Sequence, residues 1–571
     1  MMARIQLWLA LLVVPSLALT GCSTASRHSP GTKTTSPAAK SKPSKKAEGL
    51  PEAASERSIR AHAHFAAGLA YDLNEKPEQA LQEYFESALA DPSYEPVVLE
   101  TARRFLRVKQ PEKALQVLTK AAALPEASGT LYAWLGLAYA QAGRSDAAIS
   151  ANRTAIKKMP QSLPAYQNLA QLYLQNSKTN EALQLLDEAA RQPTDDPGFL
   201  IDLSELYWRF ARAQAAKSDV ARERAKGVLD RAAKLKPTNP LILQKLGDGY
   251  IMLAEFGKAE EIYTQLLKEY PEIQALRAKL AEIYLRNGQK EKAGEQLEAI
   301  AREDPTNPQT HFFIGTLALE QKQYARAAES FNTAILLNPD LEPAYYELTA
   351  AKLSLQKPHE AWKVLEDARG RFKLNFILEF YSGLVQSALK QYAEAIKHFV
   401  SAELLAKTSE PTRLNYIFYF QFGAVYERYG DYGQAESQFK RCLELSPNFP
   451  EAMNYLGYMW VEHDMKLEEA KQLIERAVEL EPKNAAFLDS LGWAFFKLKQ
   501  PQEALTWLLK AVEHAEEADA TLYDHLGDIY AELKQVDQAR EAWRKSLSVE
   551  PNEKVKSKME AASPASERTS P

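Results

Sequence analysis

Chemistry needs a nucleophile, acid–base groups or a metal set held in convergent geometry. Few residues of this 571-residue chain offer one. Its nine histidines are scattered. His62 and His64 lie two apart, which on a helix turns them to different sides and makes them poor joint ligands. His514 and His525 are separated by a turn. Two cysteines, Cys22 and Cys442, are too few for a disulfide framework. Cys442 sits in an apolar periodic stretch and reads as a small buried thiol. No GxSxG, HExxH, phosphate-binding loop or GxGxxG pattern stands out. Carboxylates are abundant, but they fall mostly in helix-surface slots, and none is singled out. The sequence predicts no catalytic residue, no metal site and no cofactor.

The residues are instead organised by a repeat. Residues 520–553 form a 34-residue unit. Tyr523, Leu526, Gly527 and Tyr530 share one helical face at unit positions 4, 7, 8 and 11. Ala539, Trp543 and Ser546 make the matching face of a second helix at positions 20, 24 and 27. Pro551 stops that helix, having no N–H to donate. About fourteen versions fill the chain from Ala61 to Glu553. Position 20 is alanine in all of them, from Ala80, Ala114 and Ala148 to Ala470, Ala504 and Ala539. Position 8 is often glycine, as in Gly68, Gly247, Gly315 and Gly527. Small residues at 8 and 20 predict two closely approaching helix axes.

This period and pattern resemble the tetratricopeptide repeat. The resemblance implies an all-α fold, a right-handed α-solenoid of about fourteen two-helix units whose first helices line an inner surface. Units 1–10 are expected over 61–405 and units 11–14 over 416–553. Unit 5 carries about nine extra residues near 211–222, helix-favouring in composition, so both of its helices should lengthen. Residues 406–415 interrupt the phase and read as a hinge or a change of superhelical pitch. Unit 12 has one extra turn residue near His463–Lys466. The tail 554–571 is expected to be mostly disordered, with a short capping helix at its start.

The N terminus has a different logic. Residues 1–21 hold one arginine, Arg4, followed by an apolar run from Ile5 to Ala18, too short for a comfortable membrane span and typical of a signal-peptide core. The run closes in Leu19-Thr20-Gly21-Cys22, which resembles the bacterial lipobox. That resemblance implies cleavage before Cys22 and acylation of its thiol and new amino group, palmitate among the chains. The alternatives are an ordinary cleaved signal or an N-terminal anchor. Ser23 follows, and in the enteric sorting rule a residue there other than Asp favours the outer membrane. Residues 22–56 are rich in Ser, Thr, Pro, Ala and Lys and read as a disordered tether. The net charge of −5 leaves no basic footprint for nucleic acid.

Positions 2, 5, 9, 12 and 13 of the first helices are the expected groove slots. In the last block they hold Phe420, Tyr458, Trp493 and Phe496, with Glu427, Arg428, Asp489, Lys497, Asp524 and Asp528 nearby. Aromatic anchors rimmed by charge suit an extended peptide or an inserted helix, with Trp493 the best single member. The other reading packs these rings between adjacent repeats. The tetratricopeptide subfamily that clamps a C-terminal carboxylate uses lysine and asparagine in such slots, and Ala133, Gln244 and Asp489 here do not match it. The expected protein is a non-catalytic interaction scaffold, lipid-anchored on the periplasmic face of a bacterial membrane, holding other envelope proteins. A polysaccharide-binding or export-associated module is the first alternative, and an enzyme with a site hidden in the groove is the second.

Overall fold

Each 34-residue copy becomes a pair of antiparallel helices. The computed structural model describes residues 52–562. The expected signal peptide, lipidated Cys22, most of the tether and residues 563–571 lie outside the described residues. Within them the chain is all-α: twenty-nine α-helices and no strand. Twenty-eight make fourteen two-helix units, and Glu553–Ala561 follows the last one. No described helix is long and apolar enough to cross a membrane.

The small residues do what their spacing demands. All fourteen position-20 alanines, Ala80 through Ala539, are 0% exposed. At position 8 a Cβ on Gly315 would stand 2.7 Å from the Phe331 ring, and one on Gly383 would stand 2.7 Å from Phe399. Glycine there admits the large position-24 ring of the same unit. The turn between paired helices has its own rule. Position 15 takes a left-handed backbone in unit after unit, with φ of 57° at Lys109, 59° at Ala254 and 60° at Lys322. Only Gly143, Gly288 and Gly430 meet that slot with the residue type suited to it. First helices start on side-chain caps. Asn239, Asn307, Asn375, Asn484 and Asp519 each accept a hydrogen bond from a backbone N–H of the first turn.

The structure divides into two compact bodies between Ala299 and Ile300. In the first, the extra residues of unit 5 extend its helices to Pro197–Ala213 and Ser218–Lys234, seventeen residues each, joined by a short 3-10 turn. In the second, a single core runs from Phe312 to Ala542. It passes through 406–415 without a break. The second helix of unit 10, Tyr392–Ser409, gains a turn, a 3-10 turn at Pro411–Arg413 follows, and Asn415 caps Tyr416–Tyr429. Phe399 meets Phe418 at 5.8 Å and Phe422 at 5.2 Å across this segment. A hinge between separately packed blocks is therefore not what the irregularity makes. It is one lengthened helix and a 3-10 turn inside one core.

The extra residue of unit 12 is held by left-handed Asp464 and Lys466. Lys466 Nζ reaches Glu436 at 2.6 Å. Burial pushes the Glu436 carboxyl up, but hydrogen bonds from Lys440, Lys466 and Trp460 outweigh it and hold the group at about 2. The start of the tail is ordered. Glu553–Ala561 buries Val555 against Ala539 and Trp543 and closes the end of the last unit.

Candidate inner-face site of units 12 to 14

Three first helices carry the residues that the groove slots predicted: Pro450–Glu462, Ala485–Lys497 and Ala520–Glu532. Consecutive first helices pack side by side, so residues in the same slot of neighbouring units meet.

Of the four rings singled out by sequence, Phe420 stands apart. It is 4% exposed and packs on Phe439, Phe449 and Tyr455 at 5.3–5.9 Å. It is a core ring of unit 11, with no face left for a ligand. The other three converge. Trp493 stacks on His525 at 4.0 Å and 10° on one side, and on Phe496 at 4.9 Å and 17°. Its indole N–H donates to Glu462 Oε1 at 2.5 Å. Tyr458 lies 6.4 Å from the His525 ring. Trp493 is thus the floor of the cluster rather than its exposed anchor: at 8% exposure, both ring faces are taken by its neighbours. The accessible members are Tyr458 and Phe496, half-buried, with Glu462 at the edge. Lys497 stands 5.8 Å from the Trp493 ring centre and pairs with Asp464 at 3.0 Å.

His525 is the residue that the slot pattern missed. Its Nδ1 lies 2.9 Å from Asp489 Oδ1, and both groups are buried. Burial pushes the imidazolium down. Asp489, then Glu462 and Asp524, more than offset that and raise the group above its ordinary 6.5. The missing signal was position 6. A cation at that slot reaches back to the previous first helix: His525 to Asp489 here, and Lys279 to Asp248 at 3.3 Å in the first body. The capping helix repeats the device, with Lys558 Nζ 2.8 Å from Asp524 and 2.7 Å from Asp528. Burial still holds the Asp528 carboxyl above its usual range despite that ammonium. Nearby, burial raises Glu427 as well, and Arg428 donates to Ser387 Oγ and Tyr455 Oη.

The arrangement is a rigid aromatic floor with a carboxylate-rich rim. Among the described residues no group of three or more His, Cys, Asp or Glu is placed to hold a metal ion. Burial pushes the Cys442 thiol up to about 12, which keeps it a poor nucleophile.

Comparison with known proteins agrees with the repeat. Models of the tetratricopeptide repeat match residues 265–546, 139–200 and 99–162. Anaphase-promoting complex subunit 3 of Schizosaccharomyces pombe is 25% identical over 242 residues, covering 41% of this chain and 35% of that protein. The chain thus spans about a third of the length of the curated relative it matches. Among solved structures, the APC/C hetero-tetramer Cut9–Hcn1 is 16% identical at a TM-score of 0.39, over 81% of this chain and 95% of that one. Yeast Tom70 is 17% identical at 0.32, over 82% and 96%. A tetratricopeptide repeat protein of Parabacteroides merdae is 15% identical at 0.37, over 45% and 98%. With its alanines, glycines and turns in one phase across fourteen units, the chain belongs to the tetratricopeptide-repeat family.

Proposed function

We propose that this chain is a non-catalytic scaffold that binds protein partners on the inner face of units 12–14 and is tethered to a bacterial envelope membrane through acylated Cys22. Repeats of this family generally serve as protein-interaction scaffolds. The observation that carries the reading is the cluster around Trp493. Its floor is fixed by His525 and Asp489, while Tyr458, Glu462 and Phe496 stand at its accessible edge. A pre-formed aromatic patch loses little entropy on binding, and carboxylates at its rim give it a sign that partners can match.

The envelope assignment rests on the sequence: an apolar leader, a lipobox-like Leu19–Cys22 and a polar tether. Acyl chains on Cys22 would hold the solenoid at the membrane and raise its local concentration toward other envelope proteins. The outer membrane is favoured by Ser23.

The test uses the full chain expressed in its own cells, crosslinked and captured beside a Phe496→Ala/Glu462→Lys variant. A defined set of envelope proteins should be lost from the variant while its helical content and the hydrogen-exchange protection of units 1–11 are retained. Recovery of the same set by both chains would remove units 12–14 as the binding face. Cys22→Ser should move the protein from the membrane to the soluble fraction, and continued membrane association would refute the lipid anchor.

A further inference from the structure

A second inner surface, in the first compact body, has a chemistry of its own. The first helices of units 3 and 4, Gly129–Gln141 and Leu163–Gln175, contain no charged residue. They are alone in this among the fourteen first helices, in a chain that is 25% Asp, Glu, Lys and Arg. The charge of these two units sits on their second helices instead, as Asp146, Arg153 and Lys157, and as Glu181, Asp187 and Glu188. Charge returns on the inner side at both borders, with Arg103 and Arg107 in unit 2 and Glu205 and Arg209 in unit 5.

The uncharged window is polar. Gln167, Gln171 and Gln175 lie four apart on one face of the unit 4 helix, all exposed. None of the three amides has a hydrogen-bond partner among the described residues, whereas Asn168 beside them is engaged, donating to the Ala133 carbonyl at 3.0 Å. On either side stand tryptophans. Trp134 in unit 3 is half-buried against the core of units 1–3 and stacks on no ring among the described residues, and half-buried Trp208 in unit 5 carries the Arg212 guanidinium 4.9 Å from its ring centre. The first helices of units 3, 4 and 5 pack in succession. The helix that carries the glutamine row therefore lies between the two helices that carry the indoles. This contrasts with Trp493, whose ring faces and N–H are all occupied.

We propose that the inner face of units 3–5, from Trp134 across Gln167 and Gln171 to Trp208, binds a neutral glycan chain. Each free amide presents a donor and an acceptor in one plane, and a sugar hydroxyl is likewise both donor and acceptor. Indole faces accept the C–H faces of sugar rings, and indole N–H groups offer further donors. An anionic polymer would lose hydration along the first helices of units 3 and 4, which return no counter-charge, and would meet Arg212 only at the Trp208 end. An extended peptide is recognised through pockets for alternate side chains, and a row of protruding glutamines is the opposite shape. This reading is independent of the protein-binding face of units 12–14, and either can fail alone.

The test titrates the soluble chain from Ser23 to Pro571, which keeps all fourteen units, with four probes followed by tryptophan fluorescence and calorimetry. They are cellohexaose, the hexamer of β-1,4-linked N-acetylglucosamine, a polyuronate hexamer and an uncharged Gly-Ser-Asn dodecapeptide. At least one neutral hexamer should bind, and Gln167→Ala/Gln171→Ala should weaken it tenfold or more. Both glutamines are exposed, so that variant should melt as the wild type does. Trp134→Phe, which keeps a ring but loses the N–H, should weaken binding less than the double variant. The proposal is overturned if neither neutral hexamer binds, if the double variant binds as tightly as wild type, or if the polyuronate or the peptide is the probe that needs these glutamines.

Discussion

His525 is where the inner-face site is most exposed to refutation. The ring is 5% exposed and Asp489 8%, so replacing His525 by leucine leaves a carboxylate buried without its partner. Breaking one side of such a pair costs about 3–5 kcal/mol, and the lost stack on Trp493 adds about 0.5–1.5 kcal/mol. Replacing both members by leucine removes the stranded charge, so Asp489→Leu/His525→Leu should recover most of the loss. Solenoids do not unfold in one step, so the readout must be local. Native-state hydrogen exchange of the amides in 520–532 reports the hold of the last unit directly. The pH sign follows from the pair. The folded-state group is raised above 6.5, so its stabilisation is complete below about 6.5, the unfolded value, and is lost as pH rises through the folded one. Protection of 520–532, corrected for intrinsic exchange, should fall as pH rises above about 6.5 in wild type and stay flat in the double leucine variant. A loss under about 1 kcal/mol in His525→Leu, less than stranding a buried charge requires, would refute the buried ion pair, and so would protection that rises with pH.

Two substitutions probe the repeat itself. Ala327 is 0% exposed between the paired helices of unit 8, and Ala327→Leu should destabilise by about 1–3 kcal/mol through overpacking; an unchanged denaturation midpoint would count against the unit alignment. Ala254 holds φ of 59° in the exposed turn of unit 6. An L-residue there is strained by about 1–2 kcal/mol, and glycine gives back part of that gain in chain entropy. Ala254→Gly should therefore raise the melting temperature, and a lowered one would show that the turn is not strained.

The fold was legible because its determinants are local and repeated. Whether Ala327 can sit at 0% exposure is decided by its own size and by the residue four on, Phe331; the buried alanine recurs in every unit, while its position-24 neighbour is a ring in some units and leucine, isoleucine or asparagine in the others. The turns were less legible. Nine of the twelve regular turn slots noted between paired helices hold a non-glycine residue in a left-handed conformation, so composition gave no sign of them. The segment 406–415 misled for a related reason. A proline and a broken phase look like a hinge in sequence, yet the register is restored by one added helical turn and a capping asparagine, and only the contact of Phe399 with Phe418 reveals it.

The site was legible by face and not by depth. Helical periodicity assigns Phe420, Tyr458, Trp493 and Phe496 to the inner side, and it says nothing of what the next repeat lays over them. Phe420 is covered by Phe449 and Tyr455 from the following unit. Trp493 is covered by His525 from the unit after it. Depth is thus a property of two repeats read together. A slot in one unit and position 6 of the next form a pair, as in Asp489 with His525 or Asp248 with Lys279. Where position 6 brings a counter-charge or a ring, the slot is closed and becomes structure. Along Gln167, Gln171 and Gln175 no hydrogen-bond partner arrives among the described residues, and an unspent row of donors and acceptors is what a ligand needs to find. The slots most worth mutating are therefore the ones whose neighbours leave them alone, which are not the ones with the largest side chains.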